Sequence, residues 1–510
     1  MFVSPDTAMT HAPAPREATP LVLRDYQLDD IESLRDVMRN GARSPLYQLA
    51  TGGGKTVVFS HIVQSAAAKG KRVLVLAHRR ELVKQASANL DWCGVAHGII
   101  AAGQDRDHDA LVLVGSIQTV VRRLNSLPQF DLIVADEAHH AVSKTWAALI
   151  ESQPKARLLG VTATPQRLDG KGLGKHCGGP FDALVCGPAT QKLVDAGFLA
   201  KLNVYLPAAA IDVAGVRKVA GDYDEGELEE RARGVTGDAV AEFQKLPAGT
   251  TAIAFCVTVQ HAKDVAAAFA GAGYRAKAVY GDMPKDERDD AIAGLGTGAV
   301  QVLTACEIIS EGLDVPSVGC VILLRPTKSL TMAFQQIGRG MRPKADGSAL
   351  VVLDHARNCL EHGLPTEPVD WTLDGVDKDI TKKAPKPWEC LSCGVLNSPA
   401  RPECKECGAL KPWLCPDEDC GEINPGEVEE CEACGCARPR RKILVADDGE
   451  MKAYVPAAYQ RLLRMPYKKF LAAPRSRAEL TAYAKAHGYK PGWVYWRERE
   501  QEAQFGGKAA

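Results

Sequence analysis

The segment Ala50-Thr51-Gly52-Gly53-Gly54-Lys55-Thr56 lies between a short apolar run, Leu46 to Leu49, and a helical stretch, Val57 to Lys69. Few sequence features constrain a fold as tightly. Three glycines free backbone N–H groups to curl round the oxygens of a phosphate, and a lysine and a hydroxyl follow at the start of the helix. This chemistry needs a strand before the loop and a helix after it, so the loop implies a parallel sheet wrapped by helices. Thr51, Gly52, Gly53 and Gly54 line the loop, Lys55 reaches the β and γ phosphates of a nucleotide, and Thr56 ligates Mg2+. Leu49 stands where the usual first glycine of such a loop would be.

The rest of the chain fits that architecture. From about Leu21 to Tyr205, β-branched runs alternate with helical patterns, and strands are expected at Leu46 to Leu49, Arg72 to Ala77, Leu111 to Gly115, Leu132 to Ala135 and Leu158 to Val161. Residues from about 206 to 375 repeat the alternation, with apolar runs at Ala252 to Phe255, Val300 to Leu303, Val321 to Leu324 and Leu350 to Leu353, but with no second phosphate loop. In such sheets functional groups collect at the carboxyl ends of the strands. Asp136-Glu137-Ala138-His139 follows one of them. Of two adjacent acids beside a phosphate-bound metal, Asp136 suits holding Mg2+ and Glu137 suits orienting or deprotonating an attacking water.

In order and spacing these segments resemble superfamily 2 helicases of the DEAD/DEAH-box-like group, over about 70% of the chain. Leu23-Arg24-Asp25-Tyr26-Gln27 is similar to the adenine-reading motif, which places Arg24 and Gln27 beside the nucleotide. Ala77-His78-Arg79-Arg80-Glu81-Leu82 and Gly115-Ser116-Ile117-Gln118-Thr119 are similar to the segments that grip a phosphodiester backbone, which implies that role for Arg79, Arg80, Ser116, Gln118 and Thr119. Thr162-Ala163-Thr164-Pro165 is similar to the motif that couples hydrolysis to strand movement, and the resemblance gives His139 and Gln335 to the same coupling. Thr304 to Pro316, TACEIISEGLDVP, resembles the motif that touches nucleic acid through Thr304 and nucleotide through Gly312 and Asp314. Gln335-Gln336-Ile337-Gly338-Arg339-Gly340-Met341-Arg342 matches Q-x-x-G-R-x-x-R, which sets Arg339 and Arg342 against the γ phosphate across a cleft.

The resemblance implies an α/β fold of two tandem RecA-like parallel-sheet domains, with ATP and Mg2+ bound by the first. The implied activity is nucleic-acid-dependent ATP hydrolysis by a helicase or translocase, with DNA favoured over RNA. An ATP-gated clamp that does not unwind, or the motor subunit of a restriction-type complex, would carry the same motifs. No paired-carboxylate-plus-lysine nuclease core is evident, so cutting would need a partner.

Nine of the 16 cysteines fall between Cys390 and Cys436, and the other seven are scattered singly, as small core residues are. Trp388-x-Cys390-x2-Cys393-x3-Asn397-x6-Cys404-x2-Cys407 is repeated as Trp413-x-Cys415-x4-Cys420-x3-Asn424-x6-Cys431-x2-Cys434, which argues for two copies of one small domain. Each copy offers four thiolates in two close pairs, the set taken by a structural Zn2+, and roughly 25 residues cannot bury enough surface to fold without it. Disulfides are the alternative, disfavoured in a cytosolic protein.

The spacing resembles the zinc fingers first named for a nuclear-pore Ran-binding protein, whose members bind single-stranded RNA or ubiquitin. No aromatic follows Asn397 or Asn424, where RNA binders place a stacking Trp, and Gly-Val or Gly-Glu replaces the Thr-Phe of ubiquitin binders. The ligand of the fingers stays open, a protein partner included. Trp388 and Trp413 read as packing residues, and Cys436 belongs to neither quartet.

A formal charge of -1 hides an asymmetry. Residues 438 to 510 hold 16 Lys+Arg against 7 Asp+Glu, a net +9 that leaves -10 for the remainder, so the tail is the part drawn to a polyanion. There Lys468, Lys469, Arg475, Arg477, Lys485, Lys490, Arg497 and Arg499 interleave with Tyr483, Tyr489, Trp493, Tyr495 and Trp496. The pattern suits phosphate contact with base stacking, and equally a helical module with an aromatic core and a basic rim. No run of about 18 uncharged apolar residues occurs, and Met1 to Pro20 lacks the form of a secretion signal. A cytoplasmic protein of bacterial or phage origin, without membrane contact, is expected.

The expected order is a disordered tail at 1–20, an ATP-binding domain at 21–205, a second domain at 206–375, a linker at 376–387, zinc fingers at 388–410 and 411–437, and a basic helical module at 438–510. A chain ending near Asp379 is expected to fold and bind ATP by itself.

Overall fold

The computed structural model describes residues 22–438 and 467–505, apart from 79, 102–106, 168–169, 208–209, 220–221, 307–317, 376–385, 418–419, 472–476, 488 and 490–491. The N-terminal tail, most of the linker and residues 439–466 of the expected basic helical module lie outside the described residues. The chain to Arg438 forms one compact unit and residues from Pro439 a second.

In the first unit, β1 (Pro45–Gln48), β2 (Val73–Ala77), β3 (Gly98–Ile100), β4 (Val112–Ser116), β5 (Leu132–Asp136), β6 (Arg157–Thr162) and β7 (Ala183–Cys186) form a sheet in the order β3-β4-β2-β5-β6-β1-β7. Every pairing is parallel. Such a sheet is covered on both faces, and alternate residues of a strand point to opposite sides. Val73, Val75 and Ala77 accordingly join one apolar cluster while Leu74 and Leu76 join another. This is why the strands read in sequence as unbroken apolar runs. Five of them lie within a residue of their expected positions; β3 and β7 are too short and too weakly patterned to stand out.

The second sheet takes β8 (Leu202–Tyr205), then, after the small ribbon β9 (Lys218–Val219) and β10 (Asp222–Tyr223), β11 (Ala252–Phe255), β12 (Ala276–Val279), β13 (Val302–Ala305), β14 (Cys320–Leu323) and β15 (Leu350–Asp354). Its order is β12-β13-β11-β14-β15-β8, again all parallel. The expected boundary after Tyr205 needs correction. Strand β8 pairs with β15, Leu202 opposite Leu350, so the second lobe begins before residue 202.

Each finger is a short antiparallel hairpin, β16 (Trp388–Glu389) with β17 (Leu396–Asn397) and β18 (Trp413–Leu414) with β19 (Ile423–Asn424). One apolar cluster runs from Val75 and Val134 of the first sheet through Ile253 and Val321 of the second to Leu396 of finger 1. The first finger thereby contributes to the apolar core shared with the two sheets.

The second unit contains helices Tyr467–Phe470, Arg477–Ala486 and Gly492–Phe505. Phe470 stacks on Tyr483 at 3.8 Å and Tyr489 on Trp493 at 4.8 Å. Phe470, Leu480 and Tyr483 are buried and Trp496 is exposed, so Tyr483 serves packing. The Arg497 guanidinium lies over the rings of Tyr467 and Trp493. Among the described residues no helix is long and apolar enough to cross a membrane.

Candidate nucleotide site and zinc modules

The phosphate loop leaves β1 and enters the helix Lys55–Ala67. Gly52 and Gly54 take φ of +83° and +89°, left-handed values that glycine adopts without strain. The leucine that replaces the usual first glycine is fully buried, and its side chain fills the space a Cβ on Gly53 would need, at 2.8 Å. Lys55 Nζ donates to the Leu49 carbonyl at 3.2 Å. Burial lowers the Lys55 pKa, opposed by the charges of Glu137 and Asp136. Beside the loop, Tyr26 donates its hydroxyl to the Gly53 carbonyl at 2.6 Å, and the Arg24 guanidinium lies 4.3 Å over the ring of Phe198. Gln27 is buried, accepts from the Arg24 N–H at 3.0 Å, and abuts Gly54.

Asp136 ends β5 and Glu137 follows it, both in one cavity with the loop. Burial and the neighbouring Glu137 charge push the Asp136 carboxyl up to about 7, against the pull of Lys55. Glu137 adopts φ +48°, a strained value for a non-glycine residue of the sort found at functional sites. His139 Nδ1 lies 3.5 Å from Glu137 Oε2 and 3.2 Å from Thr162 Oγ1. Thr162 donates to the Thr164 carbonyl at 3.1 Å, and Thr164 Oγ1 donates to Thr331 Oγ1 of the second lobe at 2.9 Å. A continuous polar path thus joins Glu137 to the far lobe.

Thr331 sits on the helix Leu330–Gly338, which crosses directly over the phosphate loop. A Cβ on Gly338 would stand 2.5 Å from that of Thr51. Gln335, on the same helix, is buried, and its amide nitrogen has no acceptor among the described residues. Arg339 and Arg342 line a cavity of about 200 Å³ together with Lys55, Thr56, Asp136 and Glu137. Two hard-oxygen ligands, Thr56 and Asp136, in one cavity with the loop fit Mg2+. Gln85 and Asn89 also line it. They went unnoticed in the sequence, although a spacing of four on the helix Arg80–Trp92 puts them on one face.

The segments assigned to strand gripping meet where β2 and β4 end side by side, Ala77 opposite Ser116. Gln118 is exposed and donates its amide to the His78 carbonyl at 2.9 Å. Ser116 is buried and caps the helix Ile117–Val121 by accepting from the Thr119 N–H at 3.3 Å. Arg80 opens a helix, but its side chain, like Arg79, Gly312 and Asp314, lies outside the described residues. Thr304 is a correction: it is fully buried in central strand β13, with its hydroxyl donated to the Ala262 carbonyl at 2.6 Å, so that side chain faces the core and not a groove.

In the fingers, Cys390, Cys393, Cys404 and Cys407 form one group and Cys415, Cys420, Cys431 and Cys434 another, with sulfurs within 4.8 Å of one another. The closer pairs stand at 3.4 to 3.7 Å. Two thiolates on tetrahedral Zn2+ at about 2.3 Å would be roughly 3.8 Å apart, whereas a disulfide needs about 2.05 Å. The clusters fit zinc. Trp388 and Trp413 are buried and donate their indole N–H groups to the Arg401 and Val428 carbonyls at 3.0 Å. Asn397 and Asn424 are also buried. Each accepts at 3.0 Å from a backbone N–H beside the third cysteine, that of Lys405 or Glu432. Of the seven scattered cysteines, Cys93, Cys256, Cys306, Cys320 and Cys359 are buried, but Cys186 is exposed and Cys177 half-buried.

Finger 1 is docked on the outer edge of the second sheet. Val395 pairs antiparallel with Tyr205 of β8, Lys405 Nζ donates to the Leu202 carbonyl, and Asn203 donates to Glu406 at 3.3 Å. Tyr205 packs against Trp388 and Val395. The expectation that a chain ending near Asp379 stands alone overlooks this contact, because nothing local in the sequence announces a pairing across so many residues.

Two parallel sheets, a phosphate loop on one and a pair of arginines from the other facing it, define a two-lobed nucleotide-driven motor. Residues 20–167 match the family described as type III restriction enzyme, res subunit. Residues 238–344 match the helicase conserved C-terminal domain, and 385–412 the zinc finger in Ran-binding protein and others. A 51.5 kDa protein of a Lactococcus phage is 32% identical over 368 residues, covering 71% of this chain and 77% of the relative. The Saccharomyces cerevisiae protein that carries the name of an ATP-dependent helicase, IRC3, is 30% identical over 345 residues, 63% of this chain and 49% of its own length. The chain thus spans about half of that yeast relative. A fragment assigned to an HsdR subunit of a type I restriction enzyme from Vibrio vulnificus YJ016 shares the fold, with TM-score 0.54 and 22% identity over 70% of this chain and 67% of that one. The chain belongs to the superfamily 2 helicases, as an ATP-dependent helicase or translocase with C-terminal zinc fingers.

Proposed function

We propose that the chain hydrolyses ATP in the cavity between its lobes and uses their closure to move along DNA. The observation that carries this reading is the meeting, in one cavity, of Lys55, Thr56, Asp136 and Glu137 from the first lobe with Arg339 and Arg342 from the second. Gln27 and Arg24 face the adenine, and the loop from Thr51 to Thr56 holds the phosphates. Thr56 and Asp136 would hold Mg2+, which would supply positive charge against that of the phosphates. Water attacks the γ phosphorus as the bond to the β-bridging oxygen breaks, leaving ADP and inorganic phosphate. Glu137 orients that water and accepts its proton. Arg339 and Arg342 steady the charge that spreads over the γ oxygens, an effect worth about 10³ to 10⁵ in rate where such an arginine has been removed.

Because those arginines ride on the second lobe, hydrolysis depends on closure. The path from Glu137 through His139, Thr162 and Thr164 to Thr331 carries the state of the nucleotide to that lobe. The likeness of residues 20–167 to restriction-enzyme res subunits favours DNA as the track, and equally favours work as the motor of a restriction-type complex.

The test is ATP turnover with single-stranded, duplex or forked DNA or RNA as activator, measured beside strand separation. Stimulation by DNA is expected, with turnover lost and ATP binding kept in Arg339→Ala. Stimulation by RNA alone would overturn the choice of DNA. Turnover without strand separation would leave a clamp or a translocase.

A further inference from the structure

Finger 2 presents to solvent the face that finger 1 buries in the motor. In finger 1, Val395 pairs with Tyr205 on the edge of the sheet, Leu396 is fully buried in the motor core, and Lys405 donates to the Leu202 carbonyl. The repeat puts Glu422, Ile423 and Glu432 at those three places in finger 2. Ile423 and its cross-strand neighbour Leu414 are 55% and 60% exposed. Among the described residues no further strand pairs with β18 or β19. An open hairpin edge beside two exposed aliphatic side chains is a template for strand addition.

Charge narrows the partner. Residues 411 to 437 hold eight Asp+Glu against a single Lys, and four thiolates on one Zn2+ add two further negative charges. Glu422, Glu429, Glu430 and Glu432 are all exposed. Such a field repels a phosphodiester backbone. Finger 1, by contrast, balances three carboxylates with two cations between residues 388 and 410. The exchange of Lys405 for Glu432 at the equivalent corner has a direct chemical meaning. Where finger 1 gives a cation to a strand carbonyl, finger 2 offers a solvent-exposed acceptor open to a donor from outside.

We propose that finger 2 is a protein-docking site that receives the edge strand of a basic partner. The strand lies beside Glu422 as β8 lies beside Val395. Its apolar side chains cover Ile423 and Leu414, and its Lys or Arg side chains reach Glu422 and Glu432. This goes beyond the motor reading and stands whether or not the motor unwinds DNA.

The test uses the full zinc-loaded chain and a labelled, end-blocked peptide of the strand that finger 1 already grips, Lys201 to Leu206, carrying Asn203→Lys. A counterpart carries Asn203→Glu, and single-stranded DNA and RNA oligonucleotides complete the set. The comparison chain is Leu414→Ser with Ile423→Ser, both at exposed positions, and its zinc content verifies that the finger is intact. The lysine peptide is expected to bind the unaltered chain about tenfold tighter than it binds the variant, and about tenfold tighter than the glutamate peptide binds. Oligonucleotide affinity should not change. Equal peptide affinity for both chains, or none, overturns the proposal. A loss of oligonucleotide affinity in the variant overturns it too, by making finger 2 a nucleic-acid contact.

Discussion

Replacing Leu396 with alanine should destabilise the second lobe, although the residue belongs to a zinc finger. Leu396 is 0% exposed and part of the apolar cluster that runs through both sheets. Truncating a leucine so enclosed costs about 3 kcal/mol, the transfer free energy of the lost methyl groups plus the cavity left behind. For a lobe of roughly 150 to 250 residues that corresponds to a fall in melting temperature of about 6 to 12 °C. The equivalent residue of finger 2 supplies an internal control. Ile423 is 55% exposed, and Ile423→Ala should cost no more than about 0.5 kcal/mol. The assay is calorimetric melting of both variants and the unaltered chain, each with its zinc content measured. Equal shifts in the two variants would refute the docking argument. So would a Leu396→Ala chain that loses zinc while the lobes melt as before.

Three further outcomes are expected. Lys55→Ala should weaken ATP binding whereas Glu137→Gln should keep ATP bound but uncleaved, and normal turnover in either, read by binding and phosphate-release assays, contradicts the site assignment. Thr164→Val and Thr331→Val should each slow turnover about as much as the two together, because the hydroxyls act as one pair; additive losses would mean that they act separately. A chain ending at Arg438 should keep its ATP turnover but lose about one unit of salt-dependence slope for each phosphate contact that the basic module made, and an unchanged slope would leave that module to other partners.

The features readable in sequence were those carried by neighbours in the chain. The phosphate loop, the Asp136-Glu137 strand end and the paired cysteine spacings each need only a few adjacent residues, and the central strands betray themselves because burial on both faces makes them continuously apolar. What escaped depends on distant partners. Leu202–Tyr205 reads the same whether it closes one sheet or edges the next, and only its pairing with Leu350 decides. Thr304 sits in a motif whose neighbours suggest a groove, yet the helix Val259–Gly271 takes its hydroxyl. The asparagines in the cysteine repeat stand in plain view, but their service to the N–H groups of Lys405 and Glu432 is visible only once the hairpins close.

The outer side of β8 carries a consequence for the life of the chain in solution. A sheet edge with unpaired N–H and C=O groups invites strands from other molecules. Here the edge is covered by a module that folds only around its metal. Stripping zinc therefore uncovers a sticky border on the motor itself. Metal starvation should announce itself as concentration-dependent self-association, and the first finger serves as a guard against aggregation as much as a piece of the fold.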